Sequence, residues 1–179
     1  MSDATSLPLL LALHSCTDRF GVAVQDSVGV PRVAVFDDGR TLSNSLIERV
    51  DSLLPRSRWP QIQGLAVATG PGGFTGTRLT VVMARTLAQQ LDCPLLGVSA
   101  FALMAQRLQC SHQPFWITQV LPRRGVVAGR YSIAGDTVTE IEVPHLLEDG
   151  RVVTPARSAE LDVEADVACL LTQLQHRLE

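Results

Sequence analysis

The sequence predicts an α/β fold: a mixed sheet whose faces are covered by helices. Two observations carry this. Three strand-like runs joined by short turns open the chain, and strands then alternate with long helical patterns, so adjoining strands pair antiparallel while later ones return parallel through helices. A composition of 46% hydrophobic and 18% charged residues over 179 positions supplies enough apolar side chain for a packed core.

The elements follow in order. Leu7–Leu13 is a compact apolar run suited to a buried central strand, and Phe20–Gln25 and Arg32–Phe36 follow after turn-rich breaks. In Arg40–Leu54 the apolar residues Leu42, Leu46, Ile47, Val50, Leu53 and Leu54 fall within roughly 140° of a helical wheel, and Pro55 ends the helix. A strand at 64–69, a glycine-rich loop, a helix at 75–91, a strand at 94–98 and a helix at 99–109 come next. Phe115–Leu121, Gly125–Ile133 and Thr137–Val143 read as strands, and Pro144–Arg157 as irregular. In Glu160–Leu178, Val163, Val167, Leu170, Leu171, Leu174 and Leu178 gather within about 100°, an amphipathic helix. This order is the one expected of a ribonuclease-H-like or actin-like lobe. The expected division is a first lobe at 1–111 and a short second lobe at 112–179.

The densest local signal is Gly70-Pro71-Gly72-Gly73-Phe74-Thr75-Gly76-Thr77-Arg78. A glycine-rich bend opening a helix leaves the first helical N–H groups unpaired at the positive end of the dipole, a setting that suits a phosphate. Gly70, Gly72, Gly73, Thr75 and Gly76 are the candidate cradle, read as a vestigial phosphate loop. All 15 basic residues are arginine, so the loop lacks the G-K-[ST] ending of a P-loop and no lysine can serve as base or nucleophile. The formal charge of −3 gives no electrostatic reason for this chain alone to grip nucleic acid.

Helix 75–91 carries a second signal. Leu79, Val81, Met83, Ala84, Leu87, Ala88 and Leu91 cover roughly 200°, about twice one buried face, with Val82 outside that arc. Either the helix is sandwiched within its own domain or its outer side meets another subunit. Thr80, Ala84 and Ala88 would let a partner helix come close.

Catalytic signals are sparse. An actin-like nucleotide site uses an acid at the end of the first strand to organise Mg²⁺; here that place holds His14, with the hydroxyls of Ser15 and Thr17 nearby and Asp18 in the next turn. A hydrogen-bonded structural histidine is the expected role. Asp37-Asp38-Gly39 and Arg123-Arg124-Gly125 read as turns, and His112, His145 and His176 have no metal spacing. Neither catalytic residues nor a metal site is expected. Cys16, Cys93, Cys110 and Cys169 are scattered, as in reduced thiols of a cytosolic protein. No basic segment precedes the apolar run at 7–13, which is too short for a bilayer, so neither signal peptide nor membrane anchor is expected.

The segment Leu65-Ala-Val-Ala-Thr-Gly-Pro-Gly-Gly-Phe-Thr-Gly-Thr-Arg-Leu79 resembles the G-P-G-S-F-T-G-x-R signature of the TsaB (YeaZ) family, with Gly73 in place of Ser. Ala84-Arg-Thr-Leu-Ala88 and Pro94-Leu-Leu-Gly-Val-Ser-Ala100 extend the likeness. Leu11–Thr17 is similar to a degraded L-A-[IL]-D-T-[SA]-T, and Val120–Tyr131 to I-D-A-R-x-x-E-[VI]-Y with Arg123 retained. The clear match covers 64–100 and a weaker one 7–131.

The resemblance implies an actin-like ATPase (ASKHA) fold in a subunit that is not itself the catalyst. It would support a TsaD-like subunit, with a TsaE-like ATPase, in building threonylcarbamoyladenosine on tRNA, and would contact tRNA only through that complex. The implied interface uses Leu46, Val50, Arg78, Val82, Ala84, Arg85 and Gln89 and also serves self-association as a homodimer. No cofactor is required, although weak ATP or ADP binding is compatible with the loop. Two departures, His14 for the family's Asp and Leu121 for the Asp of I-D-A-R, weaken metal-assisted nucleotide hydrolysis. The alternative is an actin-like nucleotide-binding hydrolase or phosphotransferase.

Overall fold

A computed structural model describes residues 7–27, 29–108 and 113–179. The first sheet holds β1 (Leu10–His14), β2 (Phe20–Gln25), β3 (Arg32–Phe36), β4 (Gly64–Ala68) and β5 (Leu95–Val98) in the order β3-β2-β1-β4-β5. The pairings β1–β2 and β2–β3 are antiparallel, while β1–β4 and β4–β5 are parallel. Every residue of β1, β2 and β4 is buried, because both faces of this sheet are covered.

On one face, α1 (Leu42–Leu53) and α2 (Phe74–Leu91) bring Leu42, Leu46, Val50, Met83, Ala84 and Ala88 against Leu11, Leu13, Val22, Val24 and Val67. On the other lies α4 (Val163–Leu178), whose apolar stripe of Val163, Val167, Leu170, Leu171 and Leu174 is buried. A Cβ at Gly21 would sit 2.7 Å from Val163 Cγ1, so α4 comes close to β2 only because that position is glycine.

The chain divides into Met1–Val98 with Val163–Glu179, and Ser99–Asp162. The expected single division at residue 111 is therefore corrected. The amphipathic C-terminal helix finds its apolar partner on the first sheet, while α3 (Ala100–Arg107) packs with the second. Residues 109–112, and with them Cys110 and His112, lie outside the described residues.

The second unit holds β6 (Phe115–Leu121), β7 (Gly125–Ala134), β8 (Thr137–Leu146) and β9 (Ala156–Ser158) in the order β8-β7-β6-β9. Phe101, Met104 and Ala105 of α3 pack on Phe115, Ile117 and Tyr131. The stretch read as irregular thus supplies the end of β8 and a three-residue strand parallel to β6. Such a strand is too short to show an alternating pattern.

Candidate functional site: the glycine loop and the helix it opens

Gly70 has φ +98°, a conformation that glycine adopts without strain. At Gly72 the requirement is closeness: a Cβ there would lie 2.1 Å from the Cys16 carbonyl oxygen and 2.5 Å from the Cys16 Cβ. A Cβ at Gly76 would lie 3.0 Å from the Ser15 oxygen. The loop is thus pressed onto the turn that leaves β1, and the Gly73 N–H donates to the Cys16 carbonyl at 2.9 Å. Ser15 Oγ and Thr80 Oγ1 share a buried hydrogen bond of 2.8 Å that ties the same turn to α2. Thr17 Oγ1 accepts from the Arg19 N–H at 3.0 Å.

The hydroxyls and amides that the sequence offers to a phosphate are thereby partly engaged inside the protein. A cleft of about 150 Å³ remains, lined by Thr17, Asp18, Arg19, Arg40, Thr75 and Gly76 among others. Small-molecule sites usually occupy roughly 300–1,000 Å³, so this cleft suits one phosphate-sized group better than a nucleotide. The first N–H groups of α2 open the helix there, and the flanking Gly73 provides no side-chain cap.

His14 is fully buried. Its Nδ1 accepts the Cys16 N–H at 3.3 Å, and its Nε2 lies 3.6 Å from Asp166 Oδ2 on α4, too far for a hydrogen bond. Asp166 is buried as completely. The end of β1 therefore carries a buried His–Asp pair. Burial, the largest influence on the Cys16 thiol, pushes its pKa up to about 11. Asp38 holds Arg49 in a two-pronged ion pair, at 2.9 Å to Nε and 2.8 Å to Nη2, and that hydrogen bonding lowers its pKa. Asp37 meets Arg19 at 3.0 Å. Arg123 takes a left-handed conformation (φ +63°) in the β6–β7 turn. Among the described residues, no three His, Cys, Asp or Glu side chains converge as a metal site.

The second unit contains a polar cluster that no sequence spacing announces. Ser99 Oγ donates to Glu140 Oε2 at 2.8 Å and accepts the Ala102 N–H at 3.0 Å. The Tyr131 hydroxyl donates to the same carboxylate oxygen at 2.8 Å, and burial raises its pKa. Ser99 is thus the cap of α3, and the cluster locks that helix to β7 and β8.

The expected interface set divides in two. Leu46 and Val50 are core residues on the inner side of α1, and Ala84 is fully buried on the inner side of α2. These three are corrected: the arc that looked twice too wide is largely used by α2 against its own unit, where Leu79, Val81, Leu87 and Leu91 also pack. Thr80, Ala84 and Ala88 are buried within the chain's own unit. Arg78, Val82, Arg85 and Gln89 are exposed. Phe74, outside the expected set, joins them. It is 64% exposed, Val82 is 61% exposed, and the Arg78 guanidinium lies 4.9 Å over the Phe74 ring. Its position in the glycine motif is legible in the sequence; its outward orientation is not.

Sheet order, the strand-end turn and the glycine loop together define a protein of the ribonuclease-H-like, actin-like (ASKHA) class. A family model described as tRNA N6-adenosine threonylcarbamoyltransferase, TsaD, matches residues 30–166. Over 109 residues the chain is 31% identical to the tRNA threonylcarbamoyladenosine biosynthesis protein TsaB of Haemophilus influenzae, covering 58% of this chain and 44% of that protein. Over 97 residues it is 30% identical to TsaB of Escherichia coli, covering 48% and 42%. The matched segments thus span less than half of each relative. The solved structure of YeaZ from Pseudomonas aeruginosa superposes with a TM-score of 0.74 at 22% identity, over 96% of this chain and 93% of that one. The chain belongs to this threonylcarbamoyladenosine family, as a TsaB/YeaZ member.

Proposed function

We propose that the chain is a non-catalytic subunit of the machinery that builds threonylcarbamoyladenosine on tRNA, and that it works by docking a TsaD-like subunit on the outer face of α2. The carrying observation is the exposed stripe Phe74, Arg78, Val82, Arg85 and Gln89, in which two large apolar side chains face solvent on a rigid 18-residue helix. A TsaE-like ATPase completes the assembly, tRNA is reached through the complex, and the site of action is the cytoplasm. Self-association as a homodimer uses the same face. Among the described residues no helix is long and apolar enough to cross a membrane.

A supporting role also fits the strand end, where a His–Asp pair stands in place of a free acid, and the small cleft above α2. Neither a cofactor nor a catalytic residue is invoked, and residual ATP or ADP affinity would be weak. The test is titration of the chain into a TsaD-like subunit from the same organism. Val82→Glu should abolish binding with an unchanged fold, and full binding by that variant would sink the proposal. Calorimetry with Mg-ATP separates this reading from a hydrolase or phosphotransferase, which would show Mg²⁺-dependent binding that a bulky residue in place of Gly76 weakens.

A further inference from the structure

The two sides of the second unit's sheet hold different chemistry. Phe115, Ile117 and Tyr131 face α3, while strand alternation sends Trp116, Ala128 and Arg130 to the opposite side. There Trp116 and Ala128 form a separate small core with Leu147. Trp116 stands opposite Arg130 across the β6–β7 pairing, and Arg130 stands opposite Glu142 on β8. Three nitrogen-bearing side chains gather at this indole. The Arg130 guanidinium lies 5.9 Å from the ring centre, that of Arg151 lies 5.5 Å from it, and the His145 ring meets it edge-on at 6.3 Å.

A guanidinium held against an aromatic ring keeps its in-plane N–H groups, five in a fork that matches an oxyanion. Those donors are little used here. Arg130 Nε has no hydrogen-bond partner, and the contact of Nη1 with Glu142 Oε1 is 3.9 Å long. Arg49, by contrast, holds Asp38 at 2.8 Å. Among the described residues no carboxylate is paired with Arg151, although Glu148 and Asp149 share its turn. His145 Nδ1 donates to the Val143 carbonyl at 2.9 Å, which leaves Nε2 as the ring nitrogen open to a ligand.

The surroundings select the occupant. Trp116 is only 6% exposed, so it offers no ring face on which a nucleic-acid base could stack. An extended polyanion would run past the arginines onto Glu142, Glu148 and Asp149. A single doubly charged oxyanion can engage the guanidiniums without reaching those acids. We infer that Arg130 and Arg151, gathered at Trp116, form a site for the phosphate group of a small molecule. The site lies wholly in the second unit and is independent of the docking role given to α2.

The test is a titration of the full Trp59→Phe chain with inorganic phosphate. Trp116 is then the one remaining tryptophan, and its fluorescence reports the site. A saturable change below about 10 mM phosphate is expected, and its absence overturns the site. Arg130→Gln and Arg151→Gln should each weaken binding roughly tenfold; unchanged binding by the double variant overturns it as well. Arg130→Lys, which keeps the charge without the fork, should fall between parent and Arg130→Gln. Glu142→Gln removes a bordering carboxylate and should tighten binding about threefold, a gain that damage to the fold cannot imitate. Arg40→Gln, in the cleft at the start of α2, should leave the affinity unchanged. Loss of binding there, with the Arg130 and Arg151 variants unaffected, would move the phosphate to α2 and sink the inference. A short RNA without a terminal phosphate should not compete, and competition at micromolar concentration would overturn the small-molecule occupant.

Discussion

The loop at Gly70–Gly73 and the outer face of α2 adjoin in sequence, yet they differ in how far their binding capacity is already used. The loop is pressed against Cys16, its Gly73 amide is bonded, and the neighbouring Ser15 hydroxyl is committed to Thr80. The outer face of α2 leaves Phe74 and Val82 in solvent, beside guanidinium groups to which no described carboxylate is paired. The segment that looks like a ligand site by composition thus acts mainly as a joint, and the helix it aims holds the unused surface. Glycines mark closeness, and closeness here is between two parts of one chain.

The largest expected effect breaks the joint. Gly72→Val drives a side chain into the Cys16 backbone, which cannot give way, and should cost about 3 kcal/mol or more in urea denaturation. Stability equal to the parent would show that the loop is loosely held. Next comes His14→Asp, which restores the acid of the family motif but buries it against Asp166. It should cost about 3 kcal/mol without creating Mg-ATP binding, and His14→Asp with Asp166→Asn should recover part of the loss. Strong nucleotide binding by the single variant would overturn the supporting role given to this strand end.

The two faces of the helical layer are then compared directly. Leu46→Ala, in the core, should cost about 2–3 kcal/mol yet leave the affinity of the folded protein for a TsaD-like subunit unchanged. Val82→Glu should do the reverse, changing stability by under about 0.5 kcal/mol. Ala84→Glu tests folding alone, since Ala84 is fully buried. The last effect is confined to high pH and comes from Cys16. Its folded pKa of about 11 lies above the ordinary value of 9.0, so the unfolded chain loses the proton first. Its contribution is intact below pH 9 and is lost as pH rises from 9 to 11, by about 1 kcal/mol at pH 10. Cys16→Ala should flatten the stability profile over that range.

Much of the fold is legible in the sequence. Strands β2, β3 and β6 and helices α1 and α2 lie within two residues of the periodicity-based reading, because buried strands and one-sided helices write their burial into residue order. The amphipathic stripe of α4 is equally plain, but its partner is not: a stripe states that a face is buried without naming the surface it meets. The width of α2's apolar arc is real, yet Ala84 within it serves the core, as do Leu46 and Val50 of α1, which the expected interface also included. His14 is buried and hydrogen-bonded, whereas Asp166 beside it lies far along the chain and no spacing connects the two.

By itself the amino-acid sequence determined the α/β class, the order of the elements, the glycine requirement at the β4–α2 bend and the family, since each depends on short-range pattern or local backbone freedom. Only the tertiary structure decided that α4 returns to the first sheet, that His14 and Asp166 meet, and that Phe74, Arg78, Val82 and Arg85 are what α2 leaves outside. Burial of any one residue depends on distant segments competing for the same face, and a linear pattern carries no record of which of them arrives there.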